Sequence, residues 1–146
     1  MPKFAQGRFS MKNPAKYAGT KTPIARSSWE FVFMRMLDEH PGVENWASES
    51  IKIPYKDPLT GKYTIYVPDF FIVYKDKNGS KRAEVVEVKP KNQTKLENVG
   101  KSRYNQEQYI KNMAKWEAAS KWCKQQRLKF RIISEDDIFH QGSKRR

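Results

Sequence analysis

Apolar positions first fall into a regular stripe after Ser27. Trp29, Val32, Phe33, Met36, Leu37 and His40 recur at helical spacing, and Pro41-Gly42 ends the run. Ile51, Ile53 and Tyr55 then alternate as a short strand does, and Asp57-Pro58-Leu59-Thr60-Gly61 is a turn. Tyr63 to Tyr74 is aromatic and β-branched and predicts a strand, with Pro68 as a bend or an edge. Asp76-Lys77-Asn78-Gly79 predicts a hairpin, because Asn-Gly accepts the positive φ of a tight turn. The returning strand runs from Arg82 to Lys89 and stops at Pro90. Residues 91–102 are polar and loop-like. From Arg103 to Arg127 the helical pattern returns, with Tyr109, Met113, Trp116 and Cys123 on one face. Lys129 to Ile133 predicts a last strand. Helix, three strands, helix, strand requires a crossover back to the sheet, hence a mixed α/β domain.

Charge changes that picture. Lys and Arg number 29 against 16 Asp and Glu, a formal excess of +13 that favours a polyanion, nucleic acid above all. Residues 1–26 hold Lys3, Arg8, Lys12, Lys16, Lys21 and Arg26 and no acid, interrupted by Pro and Gly. They predict a basic N-terminal arm, followed by a domain over 27–140 and a basic tail over 141–146. The lone Cys123 excludes an internal disulfide, and no Cys/His cluster has zinc spacing. No apolar run approaches the roughly 20 residues that span a bilayer, and the first residues lack a secretory apolar core. The expectation is a soluble chain made in the cytoplasm, without a membrane partner.

The residues that carry chemistry sit on the two hairpin strands. Asp69 lies in Val67-Pro68-Asp69-Phe70-Phe71, and Glu87 and Lys89 lie in Val85-Val86-Glu87-Val88-Lys89. A turn between them can bring Asp69 and Glu87 onto neighbouring strands. Side chains alternate along a strand, so Glu87 and Lys89 share a face while Val86 and Val88 point the other way, into a core. Two hard carboxylates suit Mg²⁺, with Mn²⁺ as a substitute, and an amine beside them suits phosphodiester hydrolysis. Taken singly, Glu87 and Lys89 fit an ion pair on a solvated strand better than a catalytic pair. The joint pattern favours the catalytic reading. Glu30 completes Ser27-x-x-Glu30, a capping box that is a full structural explanation, yet it borders the buried face with Phe33 and Leu37.

Glu30 on a helix, Pro68-Asp69 and Glu87-Val88-Lys89 resemble the PD-(D/E)XK nuclease superfamily. Ser27-Ser28-Trp29-Glu30, Ile53-Pro54-Tyr55, Val67-Pro68-Asp69-Phe70 and Glu87-Val88-Lys89-Pro90 are similar to the head completion nucleases of T-even-type tailed phages, over roughly residues 8–139. The endonuclease subunit of heteromeric cut-and-paste transposases is similar in its core. The resemblance implies a restriction-endonuclease-like αβββαβ core, a mixed central sheet flanked by helices. It implies Glu30, Asp69 and Glu87 as Mg²⁺ ligands and Lys89 as the catalytic lysine. It also implies action on packaged DNA ends during virion assembly, in the phage head and the host cytoplasm, with portal or head proteins as possible partners. Lys89 to Arg131 carries twelve basic residues against Glu97, Glu107 and Glu117. From these, Lys91, Lys95, Lys101 and Arg103 are expected to line a DNA path, and Lys115 to add a contact from the second helix. Trp116 and Trp122 are expected in the core. Two other readings stay open: a non-catalytic basic adaptor that binds DNA and stabilises the filled head, and a sequence-specific restriction or transposon-type nuclease.

Overall fold

The computed structural model describes residues 7–95 and 99–137. Strands β1 (Gly7–Arg8) and β2 (Ile24–Ala25) pair antiparallel and lead into α1 (Ser28–Glu39). There follow β3 (Val43–Ser48), β4 (Ile53–Lys56), β5 (Tyr63–Tyr66), β6 (Phe70–Lys75), β7 (Lys81–Val88), α2 (Arg103–Gln125) and β8 (Lys129–Ile133). The main sheet has the order β3-β6-β7-β8. Its first three strands are antiparallel, and β8 lies parallel to β7, so α2 carries the chain back across the sheet. Strands β4 and β5 form a separate antiparallel hairpin. Along the main sheet the order is helix, three strands, helix, strand, the mixed α/β architecture expected. No helix among the described residues is long and apolar enough to cross a membrane.

The sheet buries both faces. On one, Phe33, Met34 and Leu37 of α1 pack on Trp46, Phe70, Ile72, Val86 and Val88. On the other, Trp116 and Ala119 of α2 meet Ile53, Tyr55 and Tyr66 of the hairpin, with Trp122, Phe130 and Ile132 partly buried against them. Each fully buried large side chain contributes about 1.5–3 kcal/mol. Cys123 is buried too, and burial pushes its thiol up to about 11.

One strand was not expected, and two expectations need correction. The strand Val43–Ser48 lies in a stretch whose Glu44, Asn45 and Ser48 carry weak β preference, so no alternation announced it; Trp46, buried between Phe9, Tyr17 and Phe70, holds it in place. The run Tyr63 to Tyr74 is two strands, not one, broken at Val67-Pro68-Asp69. Its first half pairs with Ile53–Lys56 outside the main sheet. Finally, the arm expected over 1–26 is part of the folded domain from Gly7 onward. Phe9 and Ala25 belong to the core, and Asp38 accepts the backbone N–H groups of Lys12 (2.9 Å) and Asn13 (3.1 Å). Lys16 donates its ammonium to the carbonyls of Asp38 and His40. Apolar residues between the arm's cations pull it onto the sheet. The tail over 141–146 lies outside the described residues.

Candidate active site

The end of the main sheet collects the acids. In β6 and β7, Phe70 pairs with Val86, so the next rung sets Asp69 opposite Glu87. On the other side Ser48 pairs with Phe70, and the N–H of Glu49 donates to the carbonyl of Asp69 at 2.9 Å. Glu49, Asp69 and Glu87 therefore stand at one level across three adjacent strands. Pro68, fully buried, ends β5 and starts the turn into β6. With no further ladder partner on that side, Val88 N–H is taken by the Asp69 carboxylate at 2.8 Å.

Glu87 is buried on the α2 side, opposite Val86 and Val88, as strand alternation requires. One carboxylate oxygen accepts the Tyr66 hydroxyl at 2.7 Å, and the other lies 3.7 Å from the Lys89 ammonium. Lys89 follows β7, its N–H bonded to the carbonyl of Ile133. Glu30 enters from α1. Its N–H donates to Ser27 Oγ at 3.1 Å, so Ser27 is the N-cap. Its carboxylate accepts the N–H of Arg26 at 3.3 Å, one residue before the cap. Half of the expected capping box is present: Ser27 caps the helix, while the Glu30 carboxylate is bonded to Arg26.

The electrostatics tie these groups together. Burial, then the charges of Glu87 and Glu30, hold the Asp69 carboxyl well above its usual range, although one edge still reaches solvent. Burial also raises Glu87, opposed by the Tyr66 hydrogen bond and by Lys89. Glu30 is raised by burial and by repulsion from Glu49 and Glu87. Such a trio gains from a cation, and hard carboxylate oxygens are the donors that Mg²⁺ or Mn²⁺ prefers. The donor chemistry fits. As they stand, no three His, Cys, Asp or Glu side chains among the described residues meet at one metal-sized point, and the Glu87 carboxylate faces Tyr66 and Lys89.

A cleft of about 310 Å³ opens beside Lys89, walled by Tyr104, Gln108, Tyr109, Asn112 and Lys115 of α2. The Lys115 ammonium lies 5.8 Å from the centre of the Tyr66 ring. Burial and the neighbouring Lys89 lower its pKa. Of the five expected DNA contacts, Lys115 alone lies in this cleft. Lys91 and Lys95 line a separate hollow, and Lys91 is paired with Asp136 at 2.8 Å. Arg103 is exposed and paired with Glu107 at 3.1 Å, and Lys101 is exposed.

Sequence reasoning missed Tyr66, Glu49 and Arg26. Arg26 grips Glu49 with two bonds, at 2.7 and 3.1 Å, and holds that carboxyl below its usual range. Only recognition of β3 would have signalled Glu49, and only the break after Tyr66 would have signalled the hydroxyl.

Residues 40–135 match the family model described as TnsA-like endonuclease N terminal. The head completion nuclease of Enterobacteria phage T4 is 34% identical over 148 residues, spanning 94% of this chain and 96% of that protein.

Proposed function

Because this chain belongs to the TnsA-like endonuclease family of PD-(D/E)XK nucleases, we propose that it is a Mg²⁺-dependent DNA endonuclease, with Mn²⁺ as a substitute. Glu30, Asp69 and Glu87 are the metal ligands and Lys89 the catalytic amine. One observation carries the reading: the carboxylates of Glu30 on α1 and Glu87 on β7 lie close enough to raise the proton affinity of Asp69 at the β5–β6 break, and an ammonium stands 3.7 Å from Glu87. A bound divalent ion supplies charge neutralisation and a water of lowered pKa. The chain's own groups do the rest. Val88 N–H and the Tyr66 hydroxyl orient Asp69 and Glu87. Lys89, at the mouth of the cleft, stabilises charge developing on the phosphate. The likeness to a head completion nuclease supports action on packaged DNA ends during phage head assembly, with head or portal proteins as partners.

One observation favours the adaptor instead, namely that the acids do not yet meet at one point. Plasmid nicking separates the two. Wild type nicks in Mg²⁺ and not in EDTA, while Asp69→Ala and Lys89→Ala lose activity by about 10²–10³-fold, the scale of a lost transition-state contact. Equal nicking by all three proteins refutes these assignments, and no nicking by any favours the adaptor.

A further inference from the structure

We propose that the outer face of the β4–β5 hairpin is a contact surface for duplex DNA, seating the strand whose phosphate reaches Asp69. The inference rests on the nuclease reading for its ligand. The hairpin is two-sided by register. Ile53↔Tyr66 and Tyr55↔Thr64 are one set of cross-strand pairs, and Ile53, Tyr55 and Tyr66 from it are packed against α2. Pro54↔Ile65 and Lys56↔Tyr63 are the other set and point away.

That outer face is unusual. Tyr63 is 78% exposed, Ile65 52% and Val67 38%, an apolar stripe that ends two residues before Asp69. Lys56 is exposed on the neighbouring strand and Lys52 just before it. Among the described residues neither forms an ion pair, whereas Lys91 and Arg103 each have an acid. The stripe runs along the chain toward Asp69, and Tyr66, between Ile65 and Val67 on the other side of the strand, bonds Glu87.

The chemistry selects the ligand. Uncompensated lysines beside an exposed apolar stripe suit a polyanion that also offers apolar edges. Lysine is depleted at protein–protein interfaces, which disfavours a protein partner here. A two-stranded ribbon fits the major groove, its lysines on phosphates and its apolar side chains on base edges such as the thymine methyl.

The test is binding of a short fluorescent duplex in EDTA across a salt series, with nicking of plasmid DNA in Mg²⁺ alongside. Lys52→Gln/Lys56→Gln reduces the slope of log affinity against log salt by about 2, one for each phosphate contact. Tyr63→Ser/Ile65→Ser weakens binding roughly tenfold at fixed salt and leaves the slope unchanged, since it removes base-edge contacts only. Both variants need more DNA for half-maximal nicking and keep the maximal rate. These side chains are exposed, so both proteins keep the wild-type circular dichroism. Wild-type protein that binds and nicks while both variants match its affinity and slope overturns the surface alone. Wild-type protein that neither binds nor nicks overturns the nuclease reading and the surface together.

Discussion

In Asp69→Asn the oxygen that accepts the Val88 N–H is kept and the negative charge is lost. The bond becomes neutral, which costs about 1 kcal/mol, the difference between a charge-assisted and an ordinary hydrogen bond. Against this, the variant no longer holds an ionised group among protein atoms with Glu87 and Glu30 close by. An ion removed from water carries a penalty of several kcal/mol, and Asp69 keeps one edge in solvent, so relief of about 3 kcal/mol is reasonable. The metal-free variant should therefore be more stable than wild type by about 2 kcal/mol, or about 4–8 °C in Tm for a chain of this size. The sign with pH follows from the raised carboxyl. Its stabilising contribution is complete below the unfolded carboxylate range and is lost as pH rises through the higher folded value. The advantage of Asp69→Asn is thus largest near pH 8 and shrinks on acidification. Mg²⁺ at about 100 times its Kd adds about 2.7 kcal/mol to wild type alone and cancels the difference. Thermal unfolding followed by circular dichroism in EDTA at pH 8 and pH 5, then in Mg²⁺, reads all three effects. A variant less stable than wild type in EDTA at pH 8, or a gap independent of pH, refutes the reasoning.

Two further substitutions probe neighbouring links. Tyr66→Phe removes the 2.7 Å bond that holds the Glu87 carboxyl down, so the acid limb of the nicking rate against pH moves to higher pH; an unmoved limb means the hydroxyl does not act on Glu87. Asp38→Ala leaves the N–H groups of Lys12 and Asn13 without their buried acceptor and lowers stability by about 3 kcal/mol in urea unfolding, with new protease cuts between residues 7 and 26; an unchanged midpoint and cleavage pattern would mean that this segment is not fastened there.

Which parts of the molecule were legible in the sequence follows from how local the signals are. Ser27, the stripe from Trp29 to Leu37 and Pro41-Gly42 bracket α1, because a cap and a periodicity of 3.6 are read within a few residues. The β6–β7 hairpin is equally local: Gly79 takes a φ of +78°, and Asp76 accepts the N–H groups of Asn78 and Ser80. That Glu87 faces away from Val86 and Val88 follows from alternation alone. Strand β3 was illegible because its place is fixed by Trp46 packing on distant Phe9, Tyr17 and Phe70. The docking of residues 7–26 was hidden for the same reason. Charge told of a polyanion and not of its path, since the sequence cannot show that Asp136 and Glu107 are paired with Lys91 and Arg103.

The break that divided one expected strand into two also explains why an acid is available at this spot. Had β5 run on into β6, Asp69 would have been one more rung, its side chain flanked by strand neighbours and Val88 N–H bonded to backbone. With Pro68 at the turn, the ladder ends at Phe70↔Val86. The Asp69 carboxylate completes it from the side by accepting Val88 N–H. The same break swings β5 off the main sheet to pair with β4, which brings the Tyr66 hydroxyl against Glu87. One proline position thus fixes how Asp69 is presented and how Glu87 is held. The stability gain predicted for Asp69→Asn is the complement of this arrangement: the fold holds Asp69 beside Glu30 and Glu87 at a cost that core packing does not require and that the proposed divalent ion would offset.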